Sequence, residues 1–312
     1  MSIQTVSDST NSVKTQNLPS AEKFVQWLIA LDKAVKACPH SIFFLAEQLE
    51  EKIRSIPRVL SQGPLYLNSN EKHQQKTLYA LTKQPLCGNA IIATSGLFAL
   101  DIVAHRLQAP STEKYATIKH IILFDLSTRV VAFWQKMKRI IGESSSKEEC
   151  FQKIENDIFD YAPYYMEHFK CSDPSSTLLE ACQMSVNQLA HAIFAKTSWL
   201  SSDESFQRIQ AIFLQKQFAV LSLHLADALS FKSLNKELKL NDIVVDTMYF
   251  SNIIEMAKGR SNEATQTLHN LMVKSIESVT HSDTLLVDAE THTASGFPEQ
   301  RVRRQGHTPL SP

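Results

Sequence analysis

Residues 118–134 read IKHIILFDLSTRVVAFW, and the stretch changes character at Asp125. Up to Phe124 it is a short, continuous apolar run rich in isoleucine, the composition of a strand buried in a sheet. After Asp125 and Ser127 the apolar residues take the spacing of an amphipathic helix. In open α/β sheets the carboxyl end of a buried strand is where a ribose is held. Asp125 thus has two compatible readings, a cap for the helix that follows it and a ligand for vicinal hydroxyls.

The same alternation extends on both sides. NAIIATSG (89–96) is an apolar run ending in small residues, followed by the helical LFALDIVAHRLQ (97–108), and TRVVAFWQKMKRII (128–141) follows the strand HIILFD. This β-α-β-α order predicts an α/β fold with a Rossmann-like, mostly parallel sheet. Strand texture returns at FAVLSLHLAD (218–227), DIVVDTMYFSNI (242–253) and DTLLVDAE (283–290). Five strands are therefore expected, within a domain over 87–292. Residues 143–216 carry helical spacing throughout and read as a large helical insertion. Residues 19–86 read as an N-terminal helical region, broken at Pro39 and Pro57. Residues 1–18 and 293–312 are poor in large apolar groups and read as disordered tails.

Composition narrows the function classes. The chain has 312 residues, 43% of them hydrophobic, enough for a substantial core. Lys plus Arg and Asp plus Glu both total 32, so no global field draws the chain to nucleic acid or to an anionic membrane. The longest apolar stretch, 89–104, is interrupted by Asp101 and is too short for a membrane span. With no basic and apolar leader, the expected location is cytoplasmic, or a host cytosol reached by a non-Sec route. Five cysteines without CxxC pairing fit reduced thiols. Only 7 glycines exclude a loop built on several of them.

Four strands end on small or polar residues where a ligand would lie: Thr94-Ser95-Gly96, Asp125, Asp227, and Ser251-Asn252. Small residues let the backbone approach a ligand and aim a helix amino terminus at it. The carboxylates can accept from ribose hydroxyls or from an exocyclic amine. Each also has a plain structural reading: a helix cap for Asp125 and for Ser251-Asn252, a loop acid for Asp227. His168, Cys171, Cys182 and His191 lack the spacing of a structural metal site, and none is assigned. His224 reads as a core imidazole, Phe133-Trp134 as core aromatics, and Arg301, Arg303 and Arg304 as a weak attraction for a polyanion.

The order of these segments resembles the class I S-adenosylmethionine-dependent methyltransferase-like superfamily. The likeness rests on NAIIATSG, IILFDLSTRVVAFW, LHLADALSF, DTMYFSNI and TLLVDAE. It implies that Thr94, Ser95 and Gly96 border the cofactor's amino-acid end, that Asp125 holds its ribose, and that Asp227 lies near its adenine. Ser251 and Asn252 would face the transferred group, with Tyr249 lining the substrate pocket. The implied activity is transfer of a methyl or aminocarboxypropyl group from S-adenosylmethionine to an acceptor, a small molecule or a protein. The competing reading is a catalytically degenerate fold serving as a protein-interaction module. A bacterial effector delivered into another cell would also fit the polar tails and the large insertion. A third reading, an all-α interaction protein, would show no strands.

Overall fold

The apolar run that decides the fold is a strand. In the computed structural model, which describes residues 71–94, 96–125, 128–166, 195–215, 217–251, 253–254, 263–291 and 298–306, His120–Asp125 forms β2, buried up to Phe124. The readings of 1–70 as tail and helices, and those of His168, Cys171, Cys182 and His191, lie outside the described residues.

The chain runs α1 (Gln74–Lys83), β1 (Ala90–Thr94), α2 (Phe98–Arg106), β2, α3 (Thr128–Glu143), α4 (Lys147–Met166), α5 (Asp203–Leu214) and β3 (Phe218–Ser222). It continues with α6 (Ala228–Leu240), β4 (Val245–Ser251), α7 (Glu263–Val279), β5 (Leu285–Thr291) and β6 (Pro298–Arg304). The strand order is β3-β2-β1-β4-β5-β6. β1 to β5 pair in parallel, and β6 runs antiparallel to β5. The fold is α/β, a mostly parallel Rossmann-like sheet, and its order reverses between β1 and β4. Helices α4 and α5 lie in the chain between β2 and β3, the region read as an insertion.

Side chains alternate across the sheet, so each face buries its own core. On one face Ile91, Ala93, Ile121 and Leu123 pack with Leu81 of α1, Leu100 of α2, Trp134 of α3 and Ile209 of α5. On the other, Ile92, Ile122, Met248 and Phe250 pack with Phe231 of α6 and Met272 of α7. Trp134 is fully buried with its ring 5.7 Å from Phe218, a core residue as its spacing implied.

One element departs from the sequence reading. Residues 298–304, assigned to a disordered tail, form β6 and complete the sheet. The segment PEQRVRR offers a single large apolar side chain, Val302, so hydropathy alone does not mark it as a strand. Its arginines are neutralised across the pair instead. Arg301 meets Asp288 at 2.6 Å and also bonds Glu290, while Arg303 meets Asp288 at 3.1 Å. These two charges are paired on β5. The outer edge of β6 is covered in turn, since Lys72 N–H donates to Pro298 C=O at 2.9 Å and Gln300 N–H to Lys72 C=O at 3.0 Å.

Among the described residues, no helix is long and apolar enough to cross a membrane.

Candidate functional site

The order reversal between β1 and β4 opens the sheet at their carboxyl ends, where open α/β sheets bind ligands. Thr94 ends β1 and is buried. Gly96 follows at φ 141°, a backbone conformation that a side chain would strain, and its C=O accepts from Ala99 N–H at 3.1 Å as α2 begins. The one glycine of this turn is therefore where the backbone requires one. Helix α2 then starts directly behind β1, and two N–H groups of its first turn, those of Ala99 and Leu100, are taken by the Gly96 and Leu97 carbonyls. Ser95 lies outside the described residues.

Asp125 ends β2, half-buried, in register with Ser222 of β3, and its C=O accepts from Leu223 N–H at 3.0 Å. Asp227 caps α6, where Oδ1 accepts from Ser230 N–H at 3.2 Å. The cap uses one oxygen only, and Oδ2 is buried with no hydrogen-bond partner among the described residues. Nearby His224 accepts at Nδ1 from Ala226 N–H at 3.0 Å, and burial lowers its pKa against the raising pull of Asp227. That imidazole shapes the β3–α6 turn.

At the end of β4 the structure adds residues that sequence reasoning missed. Glu71, just before α1, is buried, and its carboxylate accepts from Tyr249 Oη at 3.2 Å, from Ser251 Oγ and from Gln300 Nε2. Ser251 has φ 55°, a left-handed backbone uncommon for serine. Tyr249 is buried in register with Ala93 of β1, its ring edge-on to Phe98 at 5.5 Å. Its hydroxyl and that of Ser251 thus converge on one carboxylate. Asn252 lies outside the described residues. No local signal marks Glu71 or Gln300, because their partners are 178 to 229 residues away in sequence.

Behind this edge, α2 holds the segment that returns from the insertion. Asp101 Oδ1 accepts from Trp199 N–H at 2.8 Å, and His105 Nε2 lies 3.1 Å from Thr197 C=O. Burial pushes the Asp101 carboxyl up to about 8, against the lowering effect of the Trp199 N–H and the Ser198 hydroxyl. A carboxyl raised from 3.8 in this way contributes stability that is present below about pH 4 and lost as pH rises through about 8. Asp101→Asn keeps an oxygen for Trp199 and removes the charge. The variant is expected to gain about 1–3 kcal/mol over the wild type at pH 8 and little at pH 4. Urea unfolding at the two pH values measures this, and parallel curves would refute it.

Among the described residues no cluster of His, Cys, Asp and Glu could hold a metal ion. The polar groups gathered at this edge are the Gly96–α2 turn, the Asp125 and Asp227 carboxylates, and the Glu71 cluster.

Residues 66–280 match the family model described as "Domain of unknown function (DUF7790)". The chain belongs to this family. The matched region takes in β1 to β4 and ends just before β5. Among curated proteins none matches the chain. Among solved structures, it is similar to the rRNA methyltransferase aviRa from Streptomyces viridochromogenes, at 10% identity and TM-score 0.36 over 84% of this chain and 85% of that one. A likeness of that size has no bearing on function.

Proposed function

We propose that this protein binds S-adenosylmethionine along the carboxyl ends of β1, β2 and β3 and transfers its methyl or aminocarboxypropyl group to an acceptor. The observation that carries the reading is the buried Oδ2 of Asp227, an acceptor with no donor among the described residues, at the sheet end where an adenine would lie. A buried polar atom without a partner costs about 1–3 kcal/mol, and an exocyclic amine would relieve that cost. Asp125, on the neighbouring strand, has the chemistry to accept from both ribose hydroxyls. The Gly96 turn before α2 lets the backbone approach the cofactor's amino-acid end. Thr94 and Ser95 border that same end. Tyr249, Ser251 and Asn252 are assigned to the acceptor side.

In this reading the residues bind and orient. The sulfonium is already a good leaving group, so the chain must place an attacking atom behind the carbon to be transferred.

Calorimetric titration of the full chain with S-adenosylhomocysteine tests the proposal. Saturable binding is expected, at least tenfold weaker in Asp227→Asn, because asparagine keeps the cap but turns one end of the group into a donor. Melting of that variant should change by less than about 1 kcal/mol. An absence of binding by the wild type would sink the reading and favour a fold kept as an interaction module.

A further inference from the structure

Helix α6 reads ALSFKSLNKELKL, and its two sides have opposite characters. Phe231, Leu234 and Leu238 recur at helical spacing and are buried against the sheet. The opposite side carries Leu229, Lys232, Ser233, Lys236, Lys239 and Leu240 within an arc of about 120°, and all six are exposed. The acid of the helix, Glu237, is half-buried and turned about 100° away from Lys236. Among the described residues none of the three lysines forms an ion pair. Their charge is therefore left to solvent, a local excess on a chain that is neutral overall. The same arc is apolar at its ends. Four large hydrophobic side chains are exposed among the described residues, and two of them stand here, Leu229 at 58% and Leu240 at 68%. A single exposed leucine is ordinary, but these two bracket the lysines about 16 Å apart along the helix axis. A phosphodiester backbone would meet the lysines and leave the leucines in water, and the arc has no aromatic or arginine side chain on which a base could stack. An anionic phospholipid surface meets both demands, with phosphates for the lysines and an acyl boundary for the leucines.

We propose that the outer face of α6 docks the protein on an anionic lipid surface. Lys232, Lys236 and Lys239 meet headgroup phosphates, and Leu229 and Leu240 enter the acyl boundary. Docking of this kind is peripheral and reversible, because three charges and two leucines give a modest, salt-sensitive attraction. It does not depend on the transferase reading, since it uses none of the residues assigned there to cofactor or acceptor.

The test is co-sedimentation of the full chain with vesicles of equal parts phosphatidylglycerol and phosphatidylcholine, with phosphatidylcholine alone as the neutral control. Binding to the mixed vesicles is expected, falling as salt is added, and none to the control. Replacing the three lysines together (Lys232→Ala, Lys236→Ala, Lys239→Ala) should weaken it about a hundredfold. Leu229→Ser with Leu240→Ser should weaken it at least about tenfold, a loss that a partner made of charge alone would not show. All five side chains are exposed, so both variants should melt like the wild type. The single reversal Lys236→Glu repeats the charge test with the least change to the helix and should weaken binding at least about tenfold. A single-stranded oligonucleotide is titrated in parallel. The proposal is overturned if the mixed vesicles are bound no better than the control, if Lys236→Glu or the folded leucine variant binds unchanged, or if the oligonucleotide binds more tightly than the vesicles.

Discussion

Arg106→Leu is expected to lower the stability of the protein by about 3–5 kcal/mol, a large part of what holds a domain folded. Arg106 and Asp246 are both fully buried at the amino-terminal end of β4, opposite the candidate site. The guanidinium donates from Nε to Asp246 Oδ2 at 2.7 Å and from Nη2 to Oδ1 at 2.8 Å. Its other N–H groups go to the carbonyls of Leu81, of Gln84 at 2.7 Å and of Pro85 at 3.2 Å. All five donors are therefore used, and Asp246 is completed by Cys87 N–H at 2.9 Å and Thr247 Oγ1 at 2.7 Å. Removing the arginine leaves the carboxylate buried without its counter-charge, together with three carbonyls. Urea unfolding of Arg106→Leu, Asp246→Leu and the double variant checks this. The double variant should recover part of the loss, since no lone charge remains buried. Equal losses that simply add would refute the latch.

Gly88→Ala is expected to cost about 3 kcal/mol or more through contact with backbone. A Cβ on Gly88 would lie 2.4 Å from Val244 O, 2.5 Å from Asp246 N and 2.7 Å from Val245 C. Those atoms belong to β4 and the residue before it, so no flexible side chain can move aside. The loop that would have to shift also carries Cys87 N–H, one of the donors to Asp246. Combined with Arg106→Leu the effects should therefore be less than additive, as sites that share a partner are. Thermal melting of the single and combined variants measures the coupling, and a Gly88→Ala protein that melts like the wild type would refute the close approach.

Both predictions concern the end of the sheet away from the candidate site. The Arg106 and Asp246 charges there are closed on each other and serve stability.

The five strands starting at residues 90, 120, 218, 245 and 285 were legible because each is a short apolar run followed by a polar or small residue. Asp125 and the turn at Gly96 were legible as strand-end positions for the same reason, whereas Asp227, read as the end of a strand over 218–227, stands beyond Ser222, where β3 ends, as the cap of α6. β6 was not, since its stability comes from Arg301 and Arg303 meeting Asp288, a pairing that carries no hydrophobic signal. Nor was the Arg106–Asp246 latch, which in sequence is an arginine on a helix and an aspartate in a strand.

What the sequence determined by itself is the alternation of strand and helix, because periodicity and composition are properties of neighbours along the chain. The parallel sheet and the strand ends on which a ligand would lie follow from that alternation. What only the tertiary structure decided is which carboxylates are satisfied and which are open. Glu71 reaches Tyr249, Ser251 and Gln300 across 178 to 229 residues, and contacts at that separation are set by packing, not by local pattern. The side chains that decide the chemistry at the end of β4 are brought together by the fold alone.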